Sequence, residues 1–249
     1  MREIPRDHPR YKSLVIREKL VKGFEDGIVV PQGLIAHGRG ECFDYLIGEK
    51  TLEIVEKSYE AAAALLLISK HPVIAVNGNS AALAYEDIGS FAEKYGFDIE
   101  VNLFHYDRDR VERIASLFKG FNVKIHTTHD VELPTVSSYR RLVSRDGIYS
   151  ADTVFVMIED GDMPLGLKRL GKRVIAVDLN PLSRTSRDSD ITIIDNLVRV
   201  FGRLEVYIDR LLGLDEIELK KILEDYDNKA VLREVLKHIC KYLSSRDII

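Results

Sequence analysis

The chain has 249 residues, 45% of them hydrophobic, enough to bury a sizeable core in one large α/β domain or a domain with helical additions. Charged residues reach 31% beside a lone glutamine, Gln32, a mild thermophile signature, while the net charge of −4 and a pI near 6.0 speak against general nucleic-acid binding. Cys42 and Cys240 form no CxxC pair, the charged start Met1–Asp7 lacks the apolar core of a signal peptide, and the longest apolar run, Ala61 to Ile68, cannot span a bilayer; a cytoplasmic protein with no structural zinc and no membrane partner is expected.

In chain order, residues 8–22 read as a helix with Pro9 in its first turn. Gly23–Gly48 is glycine-rich and reads as irregular, and 49–69 reads as a helix ending in alanines and leucines. Then Val73–Val76 is a short apolar run, followed by a helical pattern over Ala81–Tyr95, a strand over Ile99–Phe104, a helix over Arg108–Phe118 and a strand over Asn122–Ile125. Val154–Ile158, Val174–Val177 and Ile191–Ile194 read as strands, Leu165–Leu170 and Leu197–Leu212 as helices. Short apolar runs alternating with helices mean βαβ units and a mostly parallel sheet covered on both faces. Segment 215–245 carries apolar residues at helical spacing, from Val231 to Leu243, and reads as a packing or dimer helix. The expected organisation is a single α/β domain over 1–249: a helical and glycine-rich segment at 1–70, the α/β core at 71–212 and C-terminal helices at 213–249.

Ligands of open parallel sheets bind beyond the carboxyl ends of the strands, so the polar strand-end segments are the candidates. Asn77-Gly78-Asn79-Ser80 offers a close backbone approach and the N-terminus of a helix, or simply a turn with Ser80 as cap. Neither GxGxxG nor GxxxxGK[ST] is present. Asp178-Leu179-Asn180 with Arg184, Thr185 and Ser186 combines a ribose-type acidic acceptor with a phosphate-type arginine. Asn196-Leu197 opens the last core helix, where Asn196 also reads as an ordinary cap.

Outside the sheet, Gly33, Gly38 and Gly40 surround His37, Arg39 and Glu41, which suits a flexible backbone closing over an anion. Arg17 on the first helix reads either as a solvated charge or as a second cation for that place. His126 and His129 invite a metal reading but find no third ligand at a convincing spacing, so a polar loop is preferred and no protein-built metal site is expected. The acidic turn Glu159-Asp160-Gly161-Asp162 reads as a surface turn or a Mg²⁺ contact.

Taken together, His8-Pro9-Arg10-Tyr11 through Arg17, Gly33–Glu41 with Phe43–Glu49, Val76–Asn79 and Asp178–Thr185 resemble the archaeal phosphopantothenate synthetase family, also called 4-phosphopantoate–β-alanine ligase, along nearly the whole chain. The resemblance implies a homodimer with a Rossmann-like three-layer core, and an ATP- and Mg²⁺-dependent ligase of coenzyme A biosynthesis. Such an enzyme joins 4-phosphopantoate to β-alanine, giving 4′-phosphopantothenate, AMP and diphosphate, through an acyl-adenylate.

Carried onto this chain, the nucleotide contacts it implies are Arg17, Arg39, Asp178, Leu179, Asn180, Arg184, Thr185, Asn196 and Leu197. Asn77, Gly78 and Asn79 are expected to meet the pantoate phosphate or carboxylate, Arg39 and Arg184 to act as phosphate clamps, Asp178 to fix the ribose, and His37 or His129 to serve as base for the amine. The alternatives at this point are a nicotinamide- or flavin-dependent oxidoreductase and a non-catalytic nucleotide sensor. The ligase reading requires the Arg39 segment and the Asp178 segment to share one cleft.

Overall fold

In the computed structural model, which describes residues 4–245, three helices precede the sheet: α1 (Tyr11–Glu25), α2 (Pro31–Leu46) and α3 (Glu56–Ile68). Residues 1–3 and 246–249, the outermost parts of the charged start and of the C-terminal segment, lie outside the described residues. The core continues with β1 (Pro72–Val76), α4 (Gly78–Tyr95), β2 (Asp98–Val101), α5 (Arg108–Ser116) and β3 (Ile125–His126). A two-stranded antiparallel ribbon, β4 (Val131–Glu132) and β5 (Leu142–Val143), interrupts the alternation. Next come β6 (Thr153–Met157), α6 (Asp162–Arg169), β7 (Arg173–Val177), α7 (Arg184–Asp188), β8 (Ile191–Ile193) and α8 (Leu197–Leu211). The chain then finishes with α9 (Glu216–Glu224) and α10 (Asn228–Ser244).

The six-stranded sheet has the order β3-β2-β1-β6-β7-β8, and every neighbouring pair is parallel. With the ribbon set aside, this is the doubly wound order in which two βαβαβ halves run outward from the centre. The direction reverses between β1 and β6, and a crevice is left there beyond the strands' carboxyl ends.

Both faces of the sheet are dry. Ile74, Val76, Phe155, Met157, Ile175 and Val177 join one core cluster with the buried residues of α3, α4 and α8. The alternate residues Val73, Ala75, Val154, Val156, Val174 and Ala176 join a second, with Leu133, Val136, Val143, Ile148, Met163 and Leu167. The period of two sends neighbours to opposite faces, so continuous runs such as Thr153–Met157 are what a sheet covered on both sides requires. The second face is covered by α6 and by the irregular segment around the ribbon. Glu100 of β2, fully buried, accepts backbone N–H bonds from Ser144 (2.8 Å) and Ile148 (2.6 Å) and ties that segment down.

Several boundaries differ from the sequence reading, each for a local reason. Gly23–Gly48 is not irregular: α2 runs through it, with Pro31 at its first turn. Its glycines make room for neighbours, since a Cβ on Gly33 would lie 2.3 Å from Asn79 Oδ1. Helix α1 starts at Tyr11, beyond Pro9. A 3₁₀ turn at Glu53–Val55 delays α3 to Glu56, β2 stops at Val101, and β3 shrinks to two residues. Asn77, not Ser80, caps α4; Ser80 is its capping-box partner. The loop after β7 contains a short helix, α7, and the C-terminal segment divides into two helices at Asp225–Asp227. Both cysteines are free thiols, and among the described residues no helix is long and apolar enough to cross a membrane.

Candidate functional site

A cavity of about 870 Å³ lies at the carboxyl ends of β1, β2, β6, β7 and β8, with α2 forming one wall. From β2 to β8 is four strand spacings, roughly 19 Å, enough for a nucleotide and a second small molecule end to end.

The β7–β8 end is built around Asp178. Its carboxylate accepts a hydrogen bond from Ser183 Oγ (2.5 Å) and one from the backbone N–H of Asn180 (2.9 Å). Burial pushes the Asp178 pKa up, opposed by these donors and by the nearby positive charge of Arg39. Leu179 and Asn180 line the cavity beside it, and Asn196 and Leu197 line it from the start of α8. Asn196 caps α8 by accepting from the Val198 N–H (3.4 Å) and donates its amide to Asp44 of α2 (2.8 Å).

Across the cleft, α2 presents His37, Arg39, Gly40 and Cys42. Arg39 is exposed and makes no hydrogen bond or ion pair among the described residues. A Cβ on Gly40 would meet only Leu179 (3.7 Å), and one on Gly38 would meet nothing, so these two glycines keep the helix face open beside the nucleotide-type end. His37 is half-buried; its Nε2 is buried without a hydrogen-bond partner, 4.0 Å from Glu41 Oε2. Burial lowers its pKa below the ordinary histidine value, so the imidazole is neutral at pH 7. Glu41 is engaged elsewhere, receiving Arg17 Nε (2.8 Å) and NH2 (2.8 Å) in a two-pronged pair that pins α1 to α2. Burial pushes the Glu41 carboxyl up, but hydrogen bonds from Arg17 and Tyr45 and the Arg17 charge outweigh it and its pKa falls.

The β1–β2 end holds two arginines beside the carboxylates of Glu159 and Asp160. Arg110 of α5 and Arg140 from the ribbon segment, 8% and 5% exposed, both line the cavity, with Leu103, Phe104 and His105 following β2. Arg140 donates NH1 to the Asn102 carbonyl (2.8 Å) and pairs through Nε with Glu159 at the end of β6. Burial pushes the Glu159 carboxyl up to about 8 despite the Arg140 charge. Asn77 and Asn79 line this part of the cavity, but their amides are spent on protein: Asn77 Nδ2 donates to Met157 O (2.7 Å) and Asn79 Nδ2 to Gly33 O (2.8 Å).

The structure therefore brings His37, Arg39, Asn77, Gly78, Asn79, Asp178, Leu179, Asn180, Asn196 and Leu197 to one cavity. Arg17, Arg184, Thr185 and His129 do not line it. Arg17 is one helix removed, held by Glu41. Arg184 is exposed at the first turn of α7 and packs on Gly161, while Thr185 is buried and donates its hydroxyl to Glu159 O (2.7 Å). His129 sits at a positive φ of 49°, with Nε2 2.7 Å from Val101 O.

His126 and His129 diverge. Nε2 of His126 lies 2.7 Å from Asp98 Oδ2, and with His71 the three ligand atoms fall within 4.8 Å, a metal-sized group where no metal residues were expected. It sits at the amino end of β1 and β2, away from the cleft.

Sequence reading missed Arg110 and Arg140. Arg110 shares a helical face with Ile114, four residues on and fully buried, so an arginine on an apolar stripe was the available signal. Arg140 lies in a segment with no clear periodicity.

The family model described as phosphopantothenate/pantothenate synthetase matches residues 54–242. A 4-phosphopantoate–β-alanine ligase of Methanosarcina mazei is 46% identical over 247 residues, 98% of this chain and 97% of its own length. Proteins of the same name from Thermococcus onnurineus and Thermococcus kodakarensis are each 44% identical over 242 residues, covering 96% of this chain and 93% of theirs. On this likeness, which runs through every wall of the cleft, the chain is an enzyme belonging to the phosphopantothenate/pantothenate synthetase family.

Proposed function

We propose that the chain joins 4-phosphopantoate and β-alanine with ATP, giving 4′-phosphopantothenate, AMP and diphosphate through an acyl-adenylate. The observation that carries this reading is near full-length similarity to three ligases of that name, in a chain whose strand-end cleft has an acidic ribose-type end and a separate end bearing two arginines. Family membership favours it over an oxidoreductase or a non-catalytic sensor.

A carboxylate is a poor electrophile because its leaving group would be oxide. Attack of the pantoate carboxylate on the α-phosphorus expels diphosphate and gives a carbonyl with AMP as leaving group; the β-alanine amine then attacks that carbonyl. In this reading Asp178 accepts from the ribose hydroxyls, Leu179, Asn180, Asn196 and Leu197 frame the nucleoside, and Arg39 offsets phosphate charge. Arg184, exposed and without a partner among the described residues, is free to close on the triphosphate, and Thr185 orients its turn. Arg17 acts through Glu41, holding α2 in place. Gly78 and Asn79 contribute backbone N–H groups at the start of α4.

His37, neutral and unpartnered at the cavity wall, is the base we assign to the amine; His129 is bonded to Val101 O outside the cavity. The residues fit a Mg²⁺ ion carried by the triphosphate: Asp160 lines the cavity edge half-exposed, with one carboxylate oxygen on Arg140 Nε (3.3 Å) and the other left for the ion, whereas Glu159 is buried against Arg140. Such an ion would neutralise phosphate charge. A cytoplasmic homodimer completes the reading, and sedimentation velocity checks the dimer.

The test is product analysis with purified protein. AMP and 4′-phosphopantothenate should form in equal amounts, and only with ATP, 4-phosphopantoate and β-alanine all present. ADP and phosphate in place of AMP would refute the adenylate; no amide product would refute the reading.

A further inference from the structure

The family description covers both phosphorylated and unphosphorylated products, so it leaves open how this chain tells the two acids apart. The arginine-bearing end of the cleft bears on that question. Arg110 is 8% exposed, and its Nε is fully buried with no hydrogen-bond partner among the described residues. Its environment contains Asp107, the cap of its own helix, and the second guanidinium of Arg140, whose charge opposes its own. Arg140 is anchored on both sides, to Asn102 O at the end of β2 and to Glu159 and Asp160 (3.3 Å) after β6, so it spans the end of β1 between them. Two guanidiniums sharing a buried wall, one with an unused donor, are matched by a compact dianion that accepts several N–H bonds at once. The free backbone N–H groups at the start of α4 border the same corner, and the ribose-type Asp178 at the end of β7 is two strand spacings from β1, roughly 10 Å. A nucleotide seated on Asp178 leaves this corner to the other substrate.

We propose that Arg110 and Arg140 hold the phosphate monoester of the acyl substrate, and that Arg110 is the residue by which the chain selects a phosphorylated acid over its unphosphorylated counterpart. This rests on the ligase reading above. Arg140, tied to Asn102 O, Glu159 and Asp160, supplies a guanidinium fixed in place. Arg110 supplies the free donor.

Arg110→Met and Arg110→Lys test it, with circular dichroism and thermal melts to establish folding. Steady-state kinetics are measured for 4-phosphopantoate and for pantoate, each with saturating ATP and β-alanine, and KM for ATP is measured separately. Arg110→Met should raise KM for 4-phosphopantoate by about 100-fold, the scale of losing a buried charge-assisted donor. The ratio of kcat/KM values for the two acids should collapse toward one, KM for ATP should stay within about threefold, and Arg110→Lys should recover part of the ratio.

A folded Arg110→Met enzyme with unchanged discrimination, or one whose ATP KM rises instead, overturns the proposal while leaving the ligase reading intact. If Arg110→Met does not fold, the Arg110→Lys ratio decides in the same way. If the unmodified protein forms product from neither acid, the ligase reading fails, and calorimetry with 4-phosphopantoate and pantoate decides the phosphate site: equal binding of the two acids overturns it.

Discussion

Asn196 at the start of α8 donates its side-chain amide to Asp44 on α2 (2.8 Å), a bond between residues 152 positions apart that joins the wall helix to the strand ends. Arg199, one turn further along α8, reinforces it, giving NH2 to Asp44 (2.6 Å) and Nε to Asp195 (2.7 Å). Asp195 is itself buried and saturated by Thr51 and Tyr59. This network positions the Arg39 face of α2 over the Asp178 end of the cleft. Asp44→Ala leaves the Asn196 amide and half of the Arg199 guanidinium buried without an acceptor, which should cost roughly 2–3 kcal/mol of stability. Urea denaturation measures it, and ATP affinity measured alongside should weaken; unchanged values for both would mean the network does not hold α2.

Arg39 and Asp178 face each other across the nucleotide-type end, and their losses should differ in kind. Arg39→Ala should lower turnover by about two powers of ten or more, the scale of removing an electrostatic stabiliser. Near-normal kcat would exclude Arg39 from the chemistry. Asp178→Ala should chiefly weaken ATP binding, read as a rise in the ATP dissociation constant with a smaller effect on single-turnover chemistry.

The pH profile reports on His37. Burial disfavours its protonated form, so its folded pKa lies below 6.5 and the neutral base predominates at pH 7. The rate of amide formation should therefore fall on the acid side only as pH drops through that lowered value. His37→Asn should remove this limb and slow the amine step by about 10²–10⁴-fold while AMP transfer to the carboxylate, followed by diphosphate exchange, persists. An acid limb that survives in His37→Asn would move the base elsewhere.

Two glycines of one helix should respond oppositely to alanine. A Cβ at Gly33 would lie 2.3 Å from Asn79 Oδ1, so Gly33→Ala must push α2 from α4 and should cost about 1–3 kcal/mol. Gly38 has nothing within 4 Å of such a Cβ, and Gly38→Ala should stabilise by about 0.5–1 kcal/mol through helix propensity. Thermal melts of the two variants check the sign of each.

The glycines also mark where sequence reading stops. Runs such as Val73–Val76 and Val174–Val177 announce buried parallel strands by themselves, because a strand covered on both faces has no polar side to show. Alternation with helices then gives the α/β class, and the strand-end rule points to Asp178, Asn180, Asn196 and the Asn77–Asn79 turn, all of which line the cleft. These are local signals, written in a few consecutive residues.

Tertiary structure alone decided the rest. Three glycines between Gln32 and Glu41 argue against a helix by propensity, yet packing against α4 and the clamp from α8 make one. The segment around Arg140 has no periodicity to read, because it is held by scattered hydrogen bonds to Glu100 and Asn102 rather than by a repeating apolar face. Arg17 and Arg110 look alike as arginines on helices. One is satisfied by a carboxylate that arrives from 24 residues away; the other is buried with a donor unused, a difference set by which neighbours the fold brings to each.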